Sequence, residues 1–191
     1  MMLLTPRRGA WLISQVLAST VSPPPAMTPL PNPPAPPDPI AIRRVITGYS
    51  DHQRELSAFP TKLLDEAIFR ILEVSSEFVS RWGTSEPVRE IMVIGHADRV
   101  MTGGGDHTKD EEVTSQRRAD DVWETLAKRI FMDPRGTFTP LQLREAVTSG
   151  ALRVTVVGVG ARMRINASNR GAAPENRRVV IELWLKQATP I

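Results

Sequence analysis

Proline divides this chain unevenly: 11 of its 17 prolines lie before Ile40, ten of them between Pro23 and Pro39. Proline has a fixed φ and no N–H to donate. A run such as Pro31-Asn32-Pro33-Pro34-Ala35-Pro36-Pro37-Asp38-Pro39 therefore stays out of helix interiors and sheet ladders and extends as polyproline II, about 3 Å per residue. The distribution predicts a proline-rich linker over 22–39 and confines the folded domain to 40–191. Ahead of the linker, Arg7 and Arg8 precede the apolar stretch from Gly9 to Ala18, which small residues follow. That is the charged-then-apolar order of a secretory signal, so 1–21 is expected to be a signal-like segment or a tail.

The composition excludes several classes. With no cysteine there is no disulfide, thiolate metal site, iron–sulfur cluster or cysteine nucleophile. The 24 Lys and Arg against 21 Asp and Glu leave a formal charge of +3, too small and too dispersed to predict nucleic-acid binding. No stretch approaches the roughly 18 unbroken apolar residues of a membrane-spanning helix, so none is expected.

From Ile40 the pattern is globular. Ala41 to Thr47 reads as a short strand. Leu64, Ile68, Ile71, Ser75, Phe78 and Trp82 recur at spacings of three and four and predict a helix over 61–82, stopped by Gly83. Ile91-Met92-Val93-Ile94 is too short for a helix and is expected as a strand buried on both faces. A glycine-rich loop follows, Thr102 to Asp106. The next helix is expected to start at Ser115 as its cap, with Asp120 and Asp121 early and Ala119, Val122, Trp123, Leu126 and Ile130 as its buried stripe. Thr139-Pro140-Leu141-Gln142 combines a cap residue, a proline at the first helical position and a capping-box glutamine, predicting a short helix over 141–148. Period-two alternation predicts strands over 152–156 and 178–184. This order gives a two-layer α+β domain, with helices against one sheet.

Three constellations could carry chemistry. Gly95-His96-Ala97-Asp98 brings a polar pair out of a buried strand at the point where loops read ligands; the plainer role is a turn-forming aspartate beside a structural histidine. Arg117 and Arg118 fall in the expected first turn of the second helix, where cations oppose the helix dipole. An arginine fork beside free backbone N–H groups would suit a carboxylate or phosphate, whereas the structural alternative is ion pairing to Glu111, Glu112 or Asp121. Asn176-Arg177-Arg178 leads into the last strand, where solvated edge charge is ordinary.

Taken in order, these segments resemble a known family. Ile91-Met92-Val93-Ile94-Gly95-His96-Ala97-Asp98, Ser115-Gln116-Arg117-Arg118-Ala119-Asp120-Asp121-Val122, Val157-Gly158-Val159-Gly160 and Asn176-Arg177-Arg178-Val179-Val180-Ile181 are similar to the motifs of the OmpA-like C-terminal domain, closest to those of peptidoglycan-associated lipoproteins. The resemblance spans about Ile40 to Lys186. It implies a mixed sheet of about four strands with helices on one face. It also implies a non-catalytic module in the periplasm or cell envelope that holds peptidoglycan through the diaminopimelate of its stem peptide. By position, Asp98 would take the ammonium of that zwitterion and Arg118 its carboxylate, with His96, Ala97, Arg117, Asn176 and Arg177 around them. The resemblance implies no metal or other cofactor. Peptidoglycan is the implied partner, with envelope or secretion-system proteins beside it.

The chain departs from the family's pattern at Met101, where a glycine is usual, and at Glu111, where an asparagine is usual. The segment from Asp98 to Arg118 is expected to hold an unusually long loop, and the lipid-anchoring cysteine of the lipoproteins is missing. The rival from the residues alone is a metal-dependent hydrolase built on His96, Asp98, Asp106, His107 and Asp110, although their spacing matches no established ligand pattern. No Gly-x-Ser-x-Gly elbow supports a serine hydrolase. A further alternative keeps the fold but not the peptidoglycan site, as a protein-interaction module of an envelope or secretion machine.

Overall fold

In the structure, a computed structural model, the described residues are 40–50, 52–98, 107–134, 138–165 and 173–185. The expected signal-like segment, linker and glycine-rich loop lie outside them, as do Met101 and Asp106. The elements are β1 (Ile40–Ile46), α1 (Thr61–Arg81), β2 (Glu90–Gly95), α2 (Thr108–Phe131), α3 (Pro140–Thr148), β3 (Arg153–Gly158) and β4 (Val179–Trp184). One 3₁₀ turn, Leu56–Ala58, precedes α1, and another, Pro174–Asn176, precedes β4.

The four strands form one mixed sheet in the order β1-β4-β2-β3. β4 is antiparallel to both its neighbours, and β2 and β3 are parallel. A parallel pair requires a long crossover, which α2 and α3 supply. The fold is thus α+β, as the order of elements predicts.

The helices cover one face. Ile71, Val74 and Phe78 of α1 and Val122, Leu126 and Ile130 of α2 are fully buried against Ile91, Val93, Ile181 and Leu183. Alternation along β2 gives a correction to the expected strand buried on both faces: Ile91 and Val93 are fully buried, whereas Met92 and Ile94 are half-buried on the face without helices. The capping box of α3 forms as expected, with Thr139 Oγ accepting from the Gln142 N–H and Gln142 Oε1 from the Thr139 N–H.

A second correction concerns α2. Its N-cap is His107, so the helix begins seven residues before Ser115. Asp110 and Glu111 occupy the first turn, where the helix dipole favours acids, and the run Thr108 to Val113 continues the helix without a breaker. Arg117 and Arg118 therefore lie in the third turn and do not face the helix's free N–H groups. Glu111 is helical, so the expected long loop up to Arg118 is helix from Thr108 onward.

Candidate functional site

The C-terminal ends of β2 and β3 meet the middle of α2 at very short range. Gly95 and Gly158 are register partners on the two parallel strands. A Cβ on Gly95 would sit 1.9 Å from the Ser115 carbonyl oxygen, and one on Gly158 would sit 2.3 Å from the Gln116 nitrogen. Only glycine admits a helix backbone this close. The contact is then stitched by side chains. Ser115 Oγ accepts from the Gly160 N–H at 2.9 Å and donates to the Glu112 carbonyl. Gln116 Oε1 accepts from the Gly158 N–H at 2.7 Å. Three of the four motifs are thereby locked together.

The strand-end segment continues the ladder. The N–H groups of His96 and Ala97 donate to the carbonyls of Arg178 and Gly160. Asp98, half-buried, accepts from the Ala173 N–H at Oδ2 (2.5 Å) and from Asn176 Nδ2 at Oδ1 (3.2 Å). Asn176 is itself buried and accepts from the Ile165 N–H, so it bridges Asp98 to the segment before it. The fourth motif thus reaches the site through its asparagine. Arg177 is half-buried, with its N–H closing the 3₁₀ turn onto the Pro174 carbonyl. Arg178 is buried and donates to the Met163 carbonyl at 3.0 Å.

His96 is 3% exposed and lies close enough to Arg178 to feel its charge. Burial first, and then the Arg178 guanidinium, push its pKa down to about 4, so the imidazole is neutral at neutral pH. Its Nδ1 has no hydrogen-bond partner among the described residues.

Among the described residues Arg118 is the largest wholly buried side chain, at 0% exposure. Nε donates to the Gln53 carbonyl (2.8 Å), Nη1 to the His96 carbonyl (2.9 Å) and Nη2 to the Ser50 carbonyl (3.0 Å). The Tyr49 ring covers the guanidinium, its centroid 4.8 Å from Cζ. The carbonyls of Ser50 and Gln53 belong to the segment after β1, whose far end is tied to α2 where Asp121 Oδ2 accepts from the Leu56 N–H at 2.8 Å. Burial raises the pKa of Asp121, and it also raises that of the Tyr49 hydroxyl, which Asp121 reinforces.

The structure therefore brings His96, Ala97, Asp98, Arg118 and Asn176 into one cluster, whereas Arg117 is exposed on α2. Sequence reading missed Tyr49, Ser50 and Gln53; it named Asp121 as an acid at the helix start and Arg178 as edge charge, whereas Asp121 accepts from the Leu56 N–H and Arg178 is buried. Tyr49, the only tyrosine in the chain, following the glycine just past β1, was the one signal that could have drawn attention to that segment. The cluster has an acid and a base near one strand end, the pairing that a zwitterionic ligand requires. Among the described residues no group of three His, Asp or Glu is arranged to hold a metal ion, and no helix is long and apolar enough to cross a membrane.

No family model matches the chain, and no curated protein matches it. Solved structures do. It is similar to the peptidoglycan-associated lipoprotein from Burkholderia pseudomallei, at 14% identity and a TM-score of 0.48 over 73% of this chain and 89% of that one. It is similar to the cell wall anchor of the T6SS from Pseudomonas aeruginosa, at 18% identity and a TM-score of 0.44 over 74% and 80% of the two chains. The OmpA-like domain of FopA1 from Francisella tularensis subsp. tularensis aligns at 12% identity and a TM-score of 0.48, over 78% and 75%.

Proposed function

We propose that this chain, similar to OmpA-like domains in its motifs and in the order of its strands and helices, is a non-catalytic module of the periplasm or cell envelope that binds peptidoglycan through the diaminopimelate of the stem peptide. Asp98 takes the ligand's ammonium, and Asn176, bonded to the other face of that carboxylate, fixes its direction. Arg118 takes the ligand's carboxylate. The observation that carries this reading is the joint anchoring of the two charges: Arg118 Nη1 bonds the carbonyl of His96, two residues before Asp98 on the same strand end. A neutral His96 beside them adds an unpartnered ring nitrogen and no competing cation. Ala97 lies in the same cluster, and half-buried Arg177 and exposed Arg117 supply general attraction for acidic wall groups.

The test is co-sedimentation of residues 40–191 with purified sacculi, with free diaminopimelate as competitor. Wild type is expected in the pellet and displaced by the amino acid. Asp98→Ala should lose about 2–5 kcal/mol of binding, enough to abolish sedimentation. Wild-type binding that Asp98→Ala leaves intact would refute this site.

The full burial of Arg118 favours a second reading, in which the fold serves as a protein-interaction module of an envelope or secretion machine. Failure of the wild type to sediment at low salt selects that alternative.

A further inference from the structure

Among the described residues β1 pairs only with β4, so alternate residues of β1 turn their backbone N–H and C=O groups away from the sheet. Beside that edge lies a groove of about 570 Å³. One wall is α1, through Glu66, Phe69, Arg70 and Glu73, whose spacing of three and four puts them on a single stripe of the helix. The other wall is β1 itself, through Arg43, Arg44 and Val45. Arg44 lies on the helix side, bonding Glu73 at 2.8 Å, whereas Arg43 lies on the face without helices, where it pairs with Glu182 at 3.3 Å. A groove lined by consecutive residues from both faces of a strand runs along its backbone edge, where a further strand would sit.

We infer that this edge and groove are a docking surface for an acidic, extended segment of a partner protein, which adds to the sheet beside β1. Main-chain bonds to β1 supply the affinity, and side chains lodged in the groove supply the selectivity. The surface is separate from the peptidoglycan site, since neither Asp98 nor Arg118 lines it.

The walls select the occupant. Phe69, 64% exposed, offers an apolar seat midway along the α1 stripe. At the Arg43 end the cations stand in front of the acids they pair with: the Arg43 side chain is 59% exposed and that of Glu182 10%. Arg70 is exposed on the same wall, while exposed Glu66 lies toward the opposite end, where Leu63 meets Gly48. A second copy of this chain fits poorly, because antiparallel pairing of β1 with itself sets arginine against arginine. The proline run 31–39 fits no better, since proline lacks the N–H that a ladder needs. Arginines on an edge strand and the bulge between Ile40 and Ile42 are devices that keep edges from pairing indiscriminately. Against an acidic strand those arginines become contacts.

The experiment titrates the full chain into a fluorescein-labelled peptide, Val-Glu-Val-Glu-Val-Glu-Val, and reads anisotropy; Val-Lys-Val-Lys-Val-Lys-Val is the control. In either direction the alternation lets valines meet Phe69 while glutamates meet Arg43. The acidic peptide should bind, with the lysine peptide roughly tenfold weaker or worse. Phe69→Ala should weaken binding about tenfold and Arg43→Gln about threefold. Both replaced side chains are exposed, and melting curves verify that the variants fold. Methylating the nitrogens of alternate peptide residues separates strand addition from charge attraction: one phase blocks the ladder and should abolish binding, whereas the other, on nitrogens turned away from β1, should leave it. Equal binding of the two peptides, equal behaviour of the two methylated forms, or no binding at millimolar peptide refutes the inference. A dimer of the free chain that Phe69→Ala dissolves also refutes it, in favour of a second copy. Sacculus binding by Phe69→Ala should equal that of wild type, so this surface and the peptidoglycan site stand or fall separately.

Discussion

Replacing Arg118 tests most directly what the buried guanidinium does in the free domain. In Arg118→Ala the carbonyls of Ser50 and Gln53 can rehydrate, since Ser50 is exposed and Gln53 half-buried, but the buried carbonyl of His96 is stranded. One stranded group costs about 1–3 kcal/mol. Truncating a side chain at 0% exposure also leaves a void beneath the Tyr49 ring, which adds about 2–5 kcal/mol by comparison with large-to-small core substitutions. Relief of the cation's own desolvation offsets part of this. The net expectation is a loss of about 3–5 kcal/mol, or roughly 10–20 °C in melting temperature for a domain of this size. Arg118→Met separates the two contributions. It refills most of the volume while stranding the same carbonyl, so its loss should fall to about 1–3 kcal/mol. The assay is urea unfolding of residues 40–191 followed by circular dichroism. An alanine variant whose urea midpoint and slope both match wild type would refute the argument that Arg118 holds the segment after β1 against α2.

The seat of α2 on the strand ends should be equally unforgiving. Gly95→Ala or Gly158→Ala pushes a methyl group into helix backbone, so each should cost at least about 1–3 kcal/mol and lower the thermal midpoint accordingly; unchanged melting would contradict the close approach. His96 makes stability pH-dependent. Its folded pKa of about 4 lies below the ordinary value of 6.5, so the unfolded chain binds the extra proton first. Its contribution is fully present above pH ~6.5 and is lost as pH falls toward 4, by up to about 3 kcal/mol. His96→Gln should flatten the stability profile across that window, and a profile identical to wild type would refute the assignment.

Much of the fold was legible because burial imposes periods that a sequence must display. The stripes of α1 and α2 and the Thr139–Gln142 capping box appear where side-chain chemistry predicts them; β4 is a strand as expected, but, lying between β1 and β2, it is buried along both faces and not alternately. The start of α2 was not legible for an equally specific reason. Ser115 followed by Asp120 and Asp121 mimics a cap, yet its hydroxyl bonds back to Glu112 within the helix and receives the Gly160 N–H from across the sheet. The first of those bonds is common for a mid-helix serine, and the second depends on a residue 45 positions away. Asp98 and Arg118 were singled out through the order of the motifs. The carbonyls of Ser50, Gln53 and His96 that bond Arg118 were invisible because every residue carries such a group.

The direction of the strands bears on how such a domain would carry a load. Ile40, Trp184 and Glu90 are register partners at one end of the sheet, whereas Ile46, Val179 and Gly95 are partners at the other, beside the candidate site. A pull between the backbone ahead of Ile40 and a ligand held at Asp98 therefore runs lengthwise along β1 and β2. Antiparallel ladder bonds lie across the strands, so this pull shears the β1–β4 rungs together instead of peeling them one by one. Mechanical resistance is then shared along the whole of β1, which makes the edge strand the domain's tensile member.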